Sequence, residues 1–169
     1  REAVRNAIES QEASESVRAS ASPQPDPGPL ATFYERRHFA LVWCADPAAN
    51  AQAEVLAAAL EAAGDDGLRP DEYQPDAIRA ALTAYREGRA MSVAELAARD
   101  LLLTDAFLRF GTHLLVGRVD PKLVHSLWRA TLRDRDRVAE AAQALSERGV
   151  LAVLDDLRRS VRPDRPARP

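Results

Sequence analysis

The chain has little of what usually announces chemistry. Its 169 residues include one cysteine, Cys44, one lysine, Lys122, one methionine, three histidines and seven glycines. A single cysteine excludes an internal disulfide framework and cannot by itself supply a thiolate zinc or iron-sulfur site. Aromatic residues make up only 5% of the chain, so Phe33, Tyr34, Trp43, Tyr73 and Trp128 read most simply as core or hinge anchors. No stretch approaches the roughly 18 consecutive apolar residues of a membrane-crossing helix. The glycines are isolated, with neither a phosphate-binding loop nor a Gly-x-Ser-x-Gly elbow. His38, His113 and His125 lack metal-ligand spacing and read as solvated or capping residues. Cys44 follows Trp43, with only the distant His38 as a cationic neighbour in sequence, which suits an inert small apolar residue. The sequence therefore predicts no catalytic residue, no cofactor-binding residue and no metal ligand.

What is present fits one domain. Apolar residues make up 46%, charged residues 29%, and the formal net charge is -3. Arginine outnumbers lysine 22 to one, a bias that a GC-rich coding sequence explains without any guanidinium chemistry. The net negative charge, and an arginine-rich end without interleaved aromatics, argue against a nucleic-acid partner. Prolines cluster at the two ends: four lie between Pro23 and Pro29 and three between Pro163 and Pro169. Few helix breakers remain between them.

Residues 1–29 contain no aromatic residue and run into a Pro-rich stretch, so they read as a disordered Pro/Ser-rich linker. Residues 30–163 read as a helical domain, and residues 164–169 as a tail or the start of a connection. The arginines from Arg158 onward are expected to be exposed. Within the domain, a short helix is expected over 30–38, and 39–43 has no second strand to pair with. Asp46 and Pro47 supply an N-cap and a first-turn proline for a helix with Val55, Leu56, Ala59, Leu60 and Ala63 on one stripe, stopped by Gly64. Another helix is expected over about 75–87.

The longest element is expected over 92–116, about 37 Å at the usual rise. Ser92 and Glu95 form a capping box at its start. Leu96, Leu103, Phe107, Phe110 and Leu114 form one stripe, and Leu101, Leu108 and Leu115 a second beside it. A helix apolar over so wide an arc suits the centre of a bundle. Further helices are expected over 121–128, 135–148 and 150–159. The predicted fold is all-α, an irregular bundle of about six or seven helices around one long central helix.

Asp100 and Thr104 fall inside the apolar arc of that helix, one turn apart. A buried carboxylate needs a partner, so Asp100 is expected to meet an arginine or a helix N-terminus and, with Thr104, to serve as a structural polar anchor.

The passage Leu101-Leu102-Leu103-Thr104-Asp105-Ala106-Phe107-Leu108-Arg109-Phe110, followed by His113-Leu114-Leu115, Gly117-Arg118-Val119-Asp120-Pro121 and Trp128, resembles the signature of the N-terminal scaffold domain of large bacterial murein L,D-transpeptidases. Phe33-Tyr34-Glu35-Arg36-Arg37 leading to Trp43, the stretch from Ala62 through Gly64-Asp65-Asp66-Gly67 to Tyr73, and Arg162-Pro163 agree in order and spacing. Trp43, Leu103, Phe107 and Trp128 are the signature's expected core.

The resemblance implies a periplasmic or cell-envelope protein that acts in peptidoglycan cross-linking. In that family a catalytic cysteine takes the acyl group of a donor stem peptide and passes it to a second stem's diaminopimelate amine. Its Ser-His-Gly-Cys-type segment does not occur here, so no catalytic role transfers to Cys44. The implied partners are a catalytic transpeptidase domain, in cis or in trans, and peptidoglycan; any membrane anchor lies outside this chain. A docking face is expected as an uncovered part of the central helix, an apolar patch of several hundred Å². Two other readings remain: a stand-alone helical interaction module of the envelope, and a cytoplasmic helical adaptor.

Overall fold

The computed structural model describes residues 1–18, 28–116, 138 and 145–161. All regular structure among these residues is helical. In chain order the elements are α1 (Glu2–Arg18), α2 (Pro29–Arg36), α3 (Pro47–Glu61), two 3-10 turns (Ala62–Asp66 and Pro70–Tyr73), α4 (Pro75–Arg86), α5 (Val93–Val116), α6 (Leu145–Arg148) and α7 (Val150–Val161). The fold is an all-α bundle with α5 at its centre.

The start of α5 is fixed by reciprocal capping. The Ser92 hydroxyl accepts from the Glu95 N–H at 3.2 Å, and the Glu95 carboxylate accepts from the Ser92 N–H at 2.8 Å. Leu103, Phe107 and Phe110 are fully buried, and Leu101, Leu108 and Leu115 nearly so, while Leu96 and Leu114 are half-buried. The wide arc has a simple cause: α1, α2, α3, α4 and α7 all pack on this one helix. No apolar surplus is left over for docking among the described residues, where Val93 and Leu151 are the large hydrophobic side chains that remain exposed. The expected bare patch on α5 is therefore corrected.

Asp46 caps α3 by accepting from the Ala49 N–H at 2.8 Å, with Pro47 in the first turn. Leu56, Ala59, Leu60 and Ala63 face the core, and Val55 is half-buried. Gly64 does not stop this helix. The chain tightens into the 3-10 turn Ala62–Asp66, and Gly67, at φ +76, makes the left-handed exit. The Gly67 and Leu68 amides donate to the carbonyls of Gly64 and Ala63, so the last turn keeps its partners.

At α5 a glycine permits close helix contact. A Cβ on Gly111 would lie 2.8 Å from Val138 Cγ1 and 3.1 Å from Leu157 Cδ1, so α7 approaches α5 at a point where only hydrogen fits.

Two boundaries differ from expectation. Residues 2–18 are helical rather than linker, and α1 buries Val4 and Ile8 against the core. Judged alone the segment has too little apolar surface to order itself, but α5 supplies the other half of the contact. At the far end Arg158 is not part of an exposed tail. It is 8% exposed within α7, and its guanidinium bonds Asp66 at 3.0 and 3.1 Å and Asp155 at 2.9 Å. The expected helix over 121–128, most of that over 135–148, Gly117, Trp128, Arg162, Pro163 and residues 164–169 lie outside the described residues.

Truncation on α5 separates its central stripe from its exposed first turn. Leu103→Ala, at a fully buried position, is expected to cost about 2–5 kcal/mol, whereas Val93→Ala is expected to stay within about 0.5 kcal/mol. Chemical denaturation of the two variants measures both.

Candidate functional site

The 37–46 segment between α2 and α3 is not a strand. His38 and Phe39 are both left-handed, at φ +52 and +56, and they reverse the chain as it leaves α2. The Phe39 N–H donates to the Tyr34 carbonyl at 2.8 Å, which holds the reversal in place. The chain then runs across α5, where two consecutive residues of that helix grip it.

Asp100, with no solvent exposure, takes the N–H groups. Its carboxylate accepts from Val42 N–H at 2.9 and 3.0 Å and from Trp43 N–H at 2.7 Å. The Tyr34 hydroxyl donates to the same carboxylate at 2.6 Å. Having spent its proton there, Tyr34 can only accept at its second contact, so the Thr104 hydroxyl 2.8 Å away donates to it. Thr104 in turn accepts from the Trp43 indole N–H at 2.9 Å. Every polar atom of this cluster therefore has a partner, which a buried network requires. Burial, reinforced by the neighbouring Asp100 charge and their hydrogen bond, holds the Tyr34 phenol well above its ordinary pKa, so it remains a donor.

Arg99 grips the same segment from its acceptor side. Its guanidinium donates to the Trp43 carbonyl at 3.3 Å, to Cys44 Sγ at 2.8 Å and to Asn50 Oδ1 at 2.5 Å, and it lies 4.5 Å from the centre of the Tyr85 ring. The partners expected of Asp100, an arginine or a helix N-terminus, are thus replaced by two loop amides and a phenol. The adjacent arginine is committed elsewhere. Cys44 does have a cationic neighbour, brought by the fold rather than by sequence. Burial still outweighs the Arg99 charge and pushes the Cys44 thiol up to about 11.

Trp43, Leu103 and Phe107 are all buried, with Trp43 and Phe107 ring centres 6.3 Å apart. His113 bonds the Tyr73 hydroxyl at 2.9 Å and lies 3.9 Å from Glu72. Among the described residues no three His, Cys, Asp or Glu side chains converge as a metal site. A shallow depression of about 400 Å³ beside α4 is lined by Asp76, Arg79, Thr83, Glu87 and Arg89, but Arg79 pairs with Glu61 and Arg89 with Glu95. The strongest polar constellation is the clamp made by Arg99, Asp100 and Thr104, and its chemistry is positional: it fixes a loop, with the Asp100 and Thr104 oxygens all engaged and the buried Arg99 Nε left without a partner.

A family model described as a scaffold domain matches residues 28–162. The chain belongs to the scaffold domain family. No curated protein and no solved structure matches it significantly. The scaffold match runs from just before α2 past the end of α7, and so covers the whole clamp, while α1 lies before it. Tyr34, Arg99 and Asn50 complete the clamp. Tyr34 was expected as a core or hinge anchor within the Phe33–Arg37 stretch, with no partner assigned to its hydroxyl, while Arg99 was one arginine among 22 and Asn50 gave no signal.

Two measurements test the clamp. Asp100→Ala leaves the Val42 and Trp43 amides without their acceptor and the Tyr34 hydroxyl with Thr104 alone, and is expected to cost about 3–5 kcal/mol, against about 1–2 kcal/mol for Tyr34→Phe; equilibrium unfolding distinguishes them. The raised Cys44 pKa predicts slow alkylation at pH 7, accelerating about tenfold per pH unit until the pH nears 11, because the thiolate is the reacting form.

Proposed function

We propose that this chain is the non-catalytic scaffold domain of a peptidoglycan-cross-linking L,D-transpeptidase, supporting a catalytic cysteine domain that lies outside it. Cell-wall biogenesis in the periplasm or cell envelope is the corresponding role and place. The observation that carries the reading is the scaffold family match over residues 28–162, on a stretch that bears the transpeptidase-like signature around Leu103, Thr104 and Phe107.

The chemistry of the described residues agrees with a supporting role. Cys44 is held as a thiol by burial and hydrogen-bonded to Arg99, so it is no thiolate nucleophile at neutral pH. Asp100, Thr104 and Tyr34 are fully engaged with one another and with the 42–43 backbone. Such a domain contributes rigidity: it presents a fixed outer surface against which a catalytic domain is positioned.

Mass spectrometry after incubation with a carbapenem tests the assignment. The isolated chain is expected to keep its mass, and an acylated Cys44 would overturn the reading. In a full-length transpeptidase, muropeptide analysis is expected to show that Cys44→Ala preserves diaminopimelate-to-diaminopimelate cross-links while Asp100→Ala reduces them severalfold. The opposite pattern would place the chemistry in this domain.

A further inference from the structure

Most arginines of this bundle have their donors occupied. Arg69, Arg79, Arg89, Arg109, Arg148 and Arg158 each pair with a carboxylate. Where the start of α1 meets the end of α2 the pattern changes. Among the described residues the side chains of Arg5, Arg36 and Arg37 make neither an ion pair nor a hydrogen bond, and the Nε of Arg37 is buried without a partner. The acidic residues of the same helix segments, Glu2, Glu9 and Glu35, are exposed and form no ion pair with them.

Two of these guanidinium groups are nevertheless held in place. Arg5 lies 4.7 Å from the centre of the Phe39 ring, and Arg37 lies 5.6 Å from that of Phe33. Phe33 is fully buried. Phe39 is placed by the left-handed pair His38 and Phe39, which turns the chain back so that a ring two residues beyond Arg37 meets Arg5. An aromatic face holds a guanidinium by its charge and takes none of its in-plane N–H donors.

The structural task that arginines serve at a helix end is already done here. The Tyr34 and Glu35 carbonyls accept from the backbone amides of Arg37, His38 and Phe39 at 2.8–3.1 Å, so no guanidinium is needed to cap α2. The helix dipole favours a cation at this end through charge alone and leaves the donors unused. A buried Nε without an acceptor is costly, and an anion with two oxygens that engages the Nε edge of Arg37 removes that cost.

We infer that this corner is an oxyanion site, in which Arg5 and Arg37, held on Phe39 and Phe33, bind a carboxylate or phosphate group, with Arg36 and His38 at the rim. The planar guanidinium fork suits either group, because both present two oxygens at matching spacing.

The test follows the arginine Nε–H signals of the isotope-labelled full chain by NMR at constant ionic strength. Inorganic phosphate is added in one titration and glutarate in another. The Arg5 and Arg37 signals are expected to shift along saturating curves, whereas the signal of Arg86, exposed and also without a side-chain partner among the described residues, is expected not to saturate. Saturation by phosphate alone assigns a phosphate ligand, by glutarate alone a carboxylate, and by both the shared oxyanion chemistry. Arg37→Gln is expected to weaken the response at Arg5 about threefold to fivefold, and Arg86→Gln to leave it unchanged. If Arg37→Gln alters the circular dichroism spectrum, Arg5→Gln read at the Arg37 signal makes the same comparison. Shifts that stay linear with both anions, saturation at Arg86 equal to that at Arg5, or an unchanged response in the variants would overturn the inference.

Discussion

A carboxylate without solvent exposure costs several kcal/mol to place unless donors surround it, and the position of Asp100 depends on three at once. None of them belongs to α5. The Tyr34 hydroxyl comes from α2, and the Val42 and Trp43 amides come from the chain that follows it. Hydrogen bonds to a charged group are worth about 1.5–3 kcal/mol each, enough to offset the burial only when all are made together. The apolar stripes of α5 alone would accept its neighbours at more than one axial offset. The carboxylate accepts one arrangement, in which α2 and the 42–44 segment sit at a fixed height along the helix.

Arg99 completes this logic from the other polarity. Asp100 binds the amides of the segment, while Arg99 binds the Trp43 carbonyl and the Cys44 sulfur. Successive residues on one helix therefore hold opposite polar faces of the same few residues. Aromatic contacts stiffen the surroundings: Phe33 and Tyr34 meet edge to face with ring centres 5.2 Å apart, as do Tyr73 and Phe110. In a chain so poor in aromatic residues, pairing them around α5 concentrates rigidity where the polar cluster also lies.

Much of the architecture was legible because its signals are local. Asp46 with Pro47 and Ser92 with Glu95 mark helix starts through contacts spanning three residues, and the stripes of α3 and α5 repeat at helical spacing. Asp100 and Thr104 were visible as polar residues in an apolar arc. Their partners were not, since Tyr34, Val42 and Trp43 are separated from them by 57 to 70 residues. Arg99 and Arg158 were hidden by abundance: composition does not tell a buried guanidinium from a solvated one. α1 was missed for a different reason. Its Val4 and Ile8 are a weak signal in isolation and acquire meaning only from the surface that α5 presents to them.

The bond between Arg158 and Asp66 has a consequence for the order in which the protein comes into being. It joins residues 92 positions apart, and the Gln52 side chain reaches further still to accept the Val150 N–H at 2.8 Å. As the chain is made from its N-terminus, α3, α4 and α5 emerge while the residues that finish their polar and apolar contacts do not yet exist. Gly111 meanwhile lies open where Leu157 will later press. This side of the bundle therefore closes only when α7 arrives, and until then the central helix stays partly uncovered, available to whatever binds nascent apolar surface.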